Sequence, residues 1–372
     1  MTYIDPKSGG DIFGASEVLT SAQANAIIGN QRHFALSQLL NQQPVSVTPG
    51  KITGVELFRW TSGGSTAYSW LAATGNSNTA NVGLITGASP AFVNEAHGQT
   101  MTNISAIQSV GSRPFDRAWF GVTKAAATAR GYLSWDGTTW SIHDRVYTTG
   151  VAATCVSIAY SPDEDTLVAG WDNSSIEYNT SGTTWTGVGN VDAEQVVWGT
   201  GGDSVGRFVG CLHQQTVSHV ATSTDGQTWN SVEVGTTLAA SVHLAHDYSA
   251  KKFYLAQGSM ANAELEIYSS TNGQSWSAQP SVANPDVGGP GVLGFASYGG
   301  IWIVTSLYSV YVTPDEGVTW YSFPTQAKIA DVYGTHTMTA IAGGRLFNAY
   351  ATETPATSMT VTAPFIEPWP GQ

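Results

Sequence analysis

Charge is what this chain has least of. Only 11% of its 372 residues are Asp, Glu, Lys or Arg, against roughly a quarter in an ordinary globular protein. With 14 Lys and Arg against 27 Asp and Glu, the formal net charge is −13. No run of basic residues builds a phosphate-binding patch, which argues against nucleic acid and anionic membranes as partners. Two cysteines, Cys155 and Cys211, are too few for a disulfide scaffold, and they read best as buried thiols acting as small hydrophobes. No apolar run reaches the length of a membrane span, so no membrane insertion is expected. The start, Met1-Thr-Tyr-Ile-Asp-Pro-Lys7, lacks the basic-then-apolar layout of a secretory leader.

What remains is rich in glycine, tryptophan and uncharged polar residues. There are 41 Gly and 13 Trp, and 42% of the chain is hydrophobic. That is enough for a core, so the low charge does not signal disorder.

One short phrase recurs five times: Ser134-Trp-Asp-Gly-Thr-Thr-Trp140, Asn179-Thr-Ser-Gly-Thr-Thr-Trp185, Ser223-Thr-Asp-Gly-Gln-Thr-Trp229, Ser270-Thr-Asn-Gly-Gln-Ser-Trp276 and Thr313-Pro-Asp-Glu-Gly-Val-Thr-Trp320. The closing tryptophans lie 45, 44, 47 and 44 residues apart, a spacing that suits a four-stranded propeller blade. Asp or Asn before Gly supplies the backbone freedom of a tight hairpin turn. The Ser or Thr two places earlier can bond back to that turn, and the tryptophan leads the outgoing strand with an indole N–H to satisfy.

The phrase resembles the Asp-box, or bacterial neuraminidase repeat, of sialidase-like β-propellers. The resemblance implies an all-β propeller in which Asp136, Trp140, Trp185, Asp225, Trp229, Asn272, Trp276, Asp315 and Trp320 are structural box residues. In that family the box joins the third and fourth strands of a blade, away from the active sites. It announces a fold and is nearly silent on function.

Between boxes the chain supplies short β-rich runs split by polar turns. Cys155–Tyr160, Thr166–Gly170 and Ser175–Tyr178 lead into the second box. The order recurs at Gln195–Trp198 with Arg207–Leu212, Val242–His246 with Lys252–Ala256, and Leu293–Ser297 with Ile301–Thr305. Two flanking stretches, Gly54–Phe92 and Ile329–Trp369, have strand runs without a box, with Phe92 and Phe365 where a tryptophan would stand. The expected fold is therefore a seven-bladed propeller over residues 44–372 whose first and last blades are degenerate; six and eight blades compete.

Residues 1–43 form a separate extension. Thr20-Ser-Ala-Gln23 reads as a capping box opening a helix to about Asn41, which Pro44 stops. Ile28 and Leu39 lie on its apolar stripe and Phe34 flanks it, a wider apolar face than a lone helix keeps in water. It either caps the propeller or serves as an assembly helix. Pro44–Thr48 could add a strand to the last blade and close the ring.

An anchoring helix without a leader, joined to a weakly charged propeller, is similar in plan to bacteriophage virion proteins. The expectation is a non-enzymatic virion protein, on tail or capsid, that holds other virion proteins through its N-terminal segment. It would form a homo-oligomer, display a face that binds a host-surface glycan or receptor, and need no cofactor. A purely structural decoration and a glycoside hydrolase are the alternatives. Sialidases hold the substrate carboxylate with three arginines, the first in a Tyr/Phe-Arg-Ile-Pro motif. The nearest match here, Phe58-Arg59-Trp60-Thr61, lacks the Ile-Pro, and Arg207 and Arg345 read as hairpin residues. Xyloglucanase-like enzymes use paired acids, and no spacing among Asp172, Asp203, Asp247 and Asp331 singles out a pair.

Two smaller clusters have plainer readings. His243 and His246 would face opposite sides of a strand and so share no metal. Asp163-Glu164-Asp165 reads as a solvated hairpin turn rather than a calcium loop. The candidate ligand-binding residues are Trp171, Asp172, His213, Gln214, Gln215 and Tyr308, on loops of the end opposite the boxes, where aromatics beside amides and carboxylates suit sugars. The inter-blade segments Ile142–Ala153 and Ala278–Gly291 belong to the same expected surface.

Overall fold

The computed structural model describes the backbone of the strands between residues 42 and 362. It describes side chains from 155 to 322, except at 156, 172–173, 181–184, 190, 192, 212–218, 235–241, 259–263, 283–291, 293, 298 and 307. The expected helix and its Ile28, Phe34 and Leu39 lie outside the described residues, as does Phe365.

The described chain is all-β and built from four-stranded antiparallel meanders. After β1 (Gln42–Ser46), β2 (Lys51–Ser62), β3 (Ser65–Gly75), β4 (Ala80–Thr86) and β5 (Ala91–Glu95) pair in sequence order. The next meander is β6 (Ile104–Val110), β7 (Arg117–Lys124), β8 (Ala129–Trp135) and β9 (Trp140–Tyr147). It joins β10 (Ala153–Ser161), β11 (Thr166–Trp171), β12 (Ile176–Thr180) and β13 (Thr184–Val188) in one eight-stranded sheet, through a short parallel pairing of β13 with β9. Then come β14 (Gln195–Thr200), β15 (Gly206–Cys211), β16 (Ser218–Ser223) and β17 (Asn230–Val234). These are followed by β18 (Ala239–Asp247), β19 (Lys252–Ser259) and β20 (Glu264–Ser270), whose fourth position is shared by β21 (Ser277–Ala278) and β22 (Val282–Ala283). The meander of β23 (Gly294–Tyr298), β24 (Ile301–Thr305), β25 (Ser309–Thr313) and β26 (Tyr321–Pro324) precedes β27 (Met338–Ala342), β28 (Arg345–Ala351) and β29 (Ser358–Thr362).

The last three strands take their fourth from the other end of the chain. β1 pairs antiparallel with β29, from Gln42↔Thr362 to Ser46↔Ser358. The strand expected at Pro44–Thr48 thus begins at Gln42. The first strands of the meanders neighbour one another in turn, β2 to β6, β10, β14, β18, β23 and β27, and β27 lies against β2 again.

Burial follows this layout. Middle strands are covered on both faces, as in β25, where every residue is buried, and β15, where only Gly206 is not. They therefore read as near-continuous apolar runs. Outer strands are open: β17 shows only Val234 buried, and both residues of β21 are exposed.

The described core is a series of layers between adjacent sheets. Val168 and Ile176 meet Phe208, Ala221 and Trp229 in one layer. Val209, Cys211 and Val220 meet Val242, Phe253 and Leu255 in the next. Tyr254 and Ile267 meet Phe295, Trp302 and Tyr311 in a third. The meanders β14–β17 and β18–β22 so bury their two faces against two different neighbours. Cys155 and Cys211 are buried thiols in separate layers and form no disulfide. Burial, with the Glu194 carboxylate adding to it, pushes the Cys211 thiol far up.

All five repeated tryptophans stand at the start of a fourth strand. Trp140 opens β9, Trp185 is the second residue of β13, and Trp229, Trp276 and Trp320 immediately precede β17, β21 and β26. Phe92 likewise is the second residue of β5. The segment Ile142–Ala153, expected as a loop, is instead strand up to Tyr147, because β9 pairs with β8 along its length.

Candidate functional site

Antiparallel strands give each meander two ends. Turns from first to second and from third to fourth strand share one end; second-to-third turns and the links between meanders share the other.

The repeated phrase occupies the first end, where its polar groups are used internally. Ser223 Oγ accepts the Gly226 N–H at 2.8 Å, while Asp225 Oδ1 accepts the N–H groups of Gln227 and Thr228, both at 2.8 Å. The Trp229 indole donates to Gly226 O at 2.9 Å. Gly226 sits at φ 76°, and a Cβ there would come within 2.9 Å of Val168 in the preceding sheet. Only glycine meets both demands. Burial opposes ionisation of Asp225, yet the Thr228 and Gln227 N–H groups and the Ser223 hydroxyl hold its carboxyl below the usual range.

The same pattern recurs with Asn272, whose Oδ1 accepts from Gln274 N and Ser275 N, and Trp276 donates to Gly273 O at 3.0 Å. In the longer fifth copy Thr313 Oγ1 accepts the Gly317 N–H and Asp315 Oδ1 accepts that of Thr319. The extra residue, Glu316, takes a positive φ of 55°, and the Trp320 indole N–H does not make the bond that those of Trp229 and Trp276 make.

Adjacent meanders interlock at this end. The Gly202 N–H in the β14–β15 turn donates to Thr271 O, and Lys252 reaches Glu316 at 3.5 Å. Asp247, wholly buried, accepts from Ser297 Oγ and from Ala250 N, both at 2.8 Å. It ties one meander to the next and closes its own turn. Asp203 pairs with Arg207 at 2.6 Å; that bond leads the causes that hold the Asp203 carboxyl low.

The histidines of β18 take different partners. His243 Nδ1 lies 2.9 Å from Gln195 Nε2, while His246 Nε2 lies 2.9 Å from Thr200 O and its ring packs against Tyr248 and Phe253. Burial lowers the His246 pKa, partly offset by Thr200 O and Asp247. Asp163, Glu164 and Asp165 form the exposed β10–β11 turn, where Asp165 accepts from the Tyr160 hydroxyl at 2.8 Å.

At the opposite end the expected ligand-binding set divides. Trp171 is not a surface residue. It is 0% exposed and packs with Cys155, Ile158, Ala169 and Trp185. It is the last residue of β11, paired with Cys155, so strand alternation carries its ring into the layer between sheets. Asp172, His213, Gln214 and Gln215 lie outside the described residues, as does Asp331. Tyr308 is 49% exposed, at the tip of a turn closed by Ser306 N donating to Ser309 O at 2.9 Å. Arg59 lies in β2 and Arg345 opens β28; neither side chain is described.

Glu194, which the sequence does not single out, is a buried acid at this end. Its main chain is clasped by Ser157 Oγ to its O at 2.8 Å and by its own N–H to Cys211 O at 2.9 Å, and its carboxylate lies 3.5 Å from Ser174 Oγ. Its place in a link between two meanders gave no motif by which to find it.

No family model matches the chain, and no curated relative matches it. It is similar to a solved structure described as that of the Dos1 propeller, with 11% identity and a TM-score of 0.53 over 85% of this chain and 83% of that one. At that identity the likeness concerns the fold alone: the chain has the architecture of a β-propeller.

Proposed function

We propose that this protein is a seven-bladed Asp-box propeller displayed on a bacteriophage particle, tethered by residues 1–41 and recognising a host-surface glycan with the end opposite the boxes. The observation that carries the reading is the edge position of β1. As the outermost strand of the sheet β1–β29–β28–β27, it delivers the preceding chain to the rim of the ring, where it can reach another protein without crossing the core. The cycle of first-strand neighbours supports seven blades. The box end is a fastening: its polar side chains are bonded within the turns, which leaves the other end for ligand contact, with Tyr308 as the described stacking residue. The protein is a binding or display module and not a hydrolase, because Arg207 is committed to Asp203 and Asp247 to Ser297.

The test is a truncation ending at residue 41. Removing residues 1–43 would also delete Gln42 and Gln43 from the closing strand. The shorter deletion should leave a folded ring that no longer oligomerises or joins the particle, and Ile28→Asp or Leu39→Asp should act alike by placing charge in the contact. Unfolding of the truncated protein, or its normal assembly, overturns the tether. Hydrolysis of a sialoside that Arg59→Ala abolishes would overturn the non-enzymatic reading.

A further inference from the structure

The repeated turns differ in the residue that precedes their glycine. Asn272-Gly273 is the only Asn-Gly step in the 372 residues. In the third copy the glycine nitrogen is held, Gly226 N–H to Ser223 Oγ at 2.8 Å, and in the fifth Gly317 N–H is held by Thr313 Oγ1 at 2.8 Å. In the fourth copy Ser270 Oγ donates to Asn272 Oδ1 at 3.1 Å and accepts the Asn272 N–H at 3.2 Å. Among the described residues the Gly273 N–H is not held by a hydroxyl in this way. The nucleophilic nitrogen therefore has no hydroxyl acceptor in its own turn, although Gly273 is itself buried against Thr222 and Val209 of the preceding sheet.

The electrophile, in contrast, is activated. Asn272 Oδ1 accepts two backbone N–H groups, from Gln274 at 2.9 Å and Ser275 at 2.8 Å. Donors fixed on a carbonyl oxygen draw charge from its carbon and stabilise the oxyanion that forms when a nucleophile adds. Gly273 adds no Cβ to crowd the approach and Asn272 is partly exposed, so water can reach the product.

We propose that Asn272 is a site of intrinsic deamidation, driven by the donors that shape the turn. A solvent base removes the Gly273 amide proton, the nitrogen bonds to Asn272 Cγ, and the Cγ–Nδ2 bond breaks with release of ammonia, leaving a succinimide. Water then opens the ring. Opening at Cγ gives aspartate, which restores the carboxylate of Asp225 in the third copy. Opening at the main-chain carbonyl gives isoaspartate, which adds a methylene to the backbone and separates Trp276 from Gly273 O, now 3.0 Å away.

The experiment incubates the full chain at mildly alkaline pH, folded and in denaturant, and maps peptides by mass. In the folded protein Asn272 should gain one mass unit ahead of every other asparagine and at least as fast as in the denatured chain. Hydroxylamine should cleave between residues 272 and 273, and Asn272→Gln should abolish both signals. Isoaspartate should accumulate at residue 272 and not at Asp225, whose glycine nitrogen is held. Slower reaction of Asn272 in the folded than in the denatured chain, or equal isomerisation at Asp225, overturns the proposal.

Discussion

The two ends of the sheets spend the same kinds of residue in opposite ways. At the box end Ser223, Asp225 and Trp229 look like a surface polar patch in the sequence, yet each is bonded to its own turn. At the other end Tyr308 projects from the tip of a turn, about half exposed. A polar or aromatic residue therefore marks function only after its local obligations are subtracted. The box turns can be repeated because the bonds of their Ser or Thr, Asp or Asn, and Trp side chains are local to the turn.

The difference can be broken first at the box end. Trp229→Ala removes a ring from the layer of Val168, Ile176 and Phe208 as well as an indole bond, and should cost about 3–5 kcal/mol in denaturant unfolding. A loss under about 1 kcal/mol would mean the layer is not the core it looks to be. Gly226→Ala should cost about 1–3 kcal/mol, since a Cβ at that positive φ also meets Val168. An unchanged denaturation midpoint would count against the turn geometry.

Acid should reveal a further asymmetry. The folded-state pKa of His246 is lowered, chiefly by burial, so below about 6.5 the unfolded chain binds a proton that the folded one resists. Stability from this group is present above that pH and is lost as pH falls toward the depressed folded value. Melting temperature should drop across that window in the wild type and less in His246→Gln. Equal slopes would remove His246 from the account.

The smallest effects should come from exposed groups. Lys252→Met breaks a half-exposed pair with Glu316 and should shift unfolding by at most about 1 kcal/mol, less in high salt. Tyr308→Ala should change stability within about 0.5 kcal/mol while weakening glycan retention on an array. A Tyr308 variant that unfolds, or binds unchanged, would show that the two ends are not as different as drawn.

The sequence showed the ladder of turns and the strands between them because both rest on local signals, glycine placement and residue alternation. It was less informative where position depends on partners far along the chain. Trp171 looked like a loop aromatic because Asp172 and Asn173 follow it. Its alternation with Leu167 and Ala169 was the signal that it continues the strand and turns inward. The role of Asp247 was hidden for the same reason, since its partner Ser297 lies in the next meander. The closing strand was readable as a run at Pro44–Thr48 that could complete the last blade, but its register, with Gln42 opposite Thr362, was not.

That tie also governs the order in which the molecule can be made. The closing pair joins the first described strand to the last, so a chain emerging from the ribosome holds β1 without a mate until the final strand is synthesised. Inter-sheet layers can form as their meanders appear, but the seam must wait, and contacts so distant in sequence are slow to find. Until then β27 to β29 present an open edge, and a neighbouring chain's β1 fits it as well as the molecule's own. Strand-exchanged pairs of rings are therefore the expected by-product of refolding at high concentration, to be looked for by gel filtration.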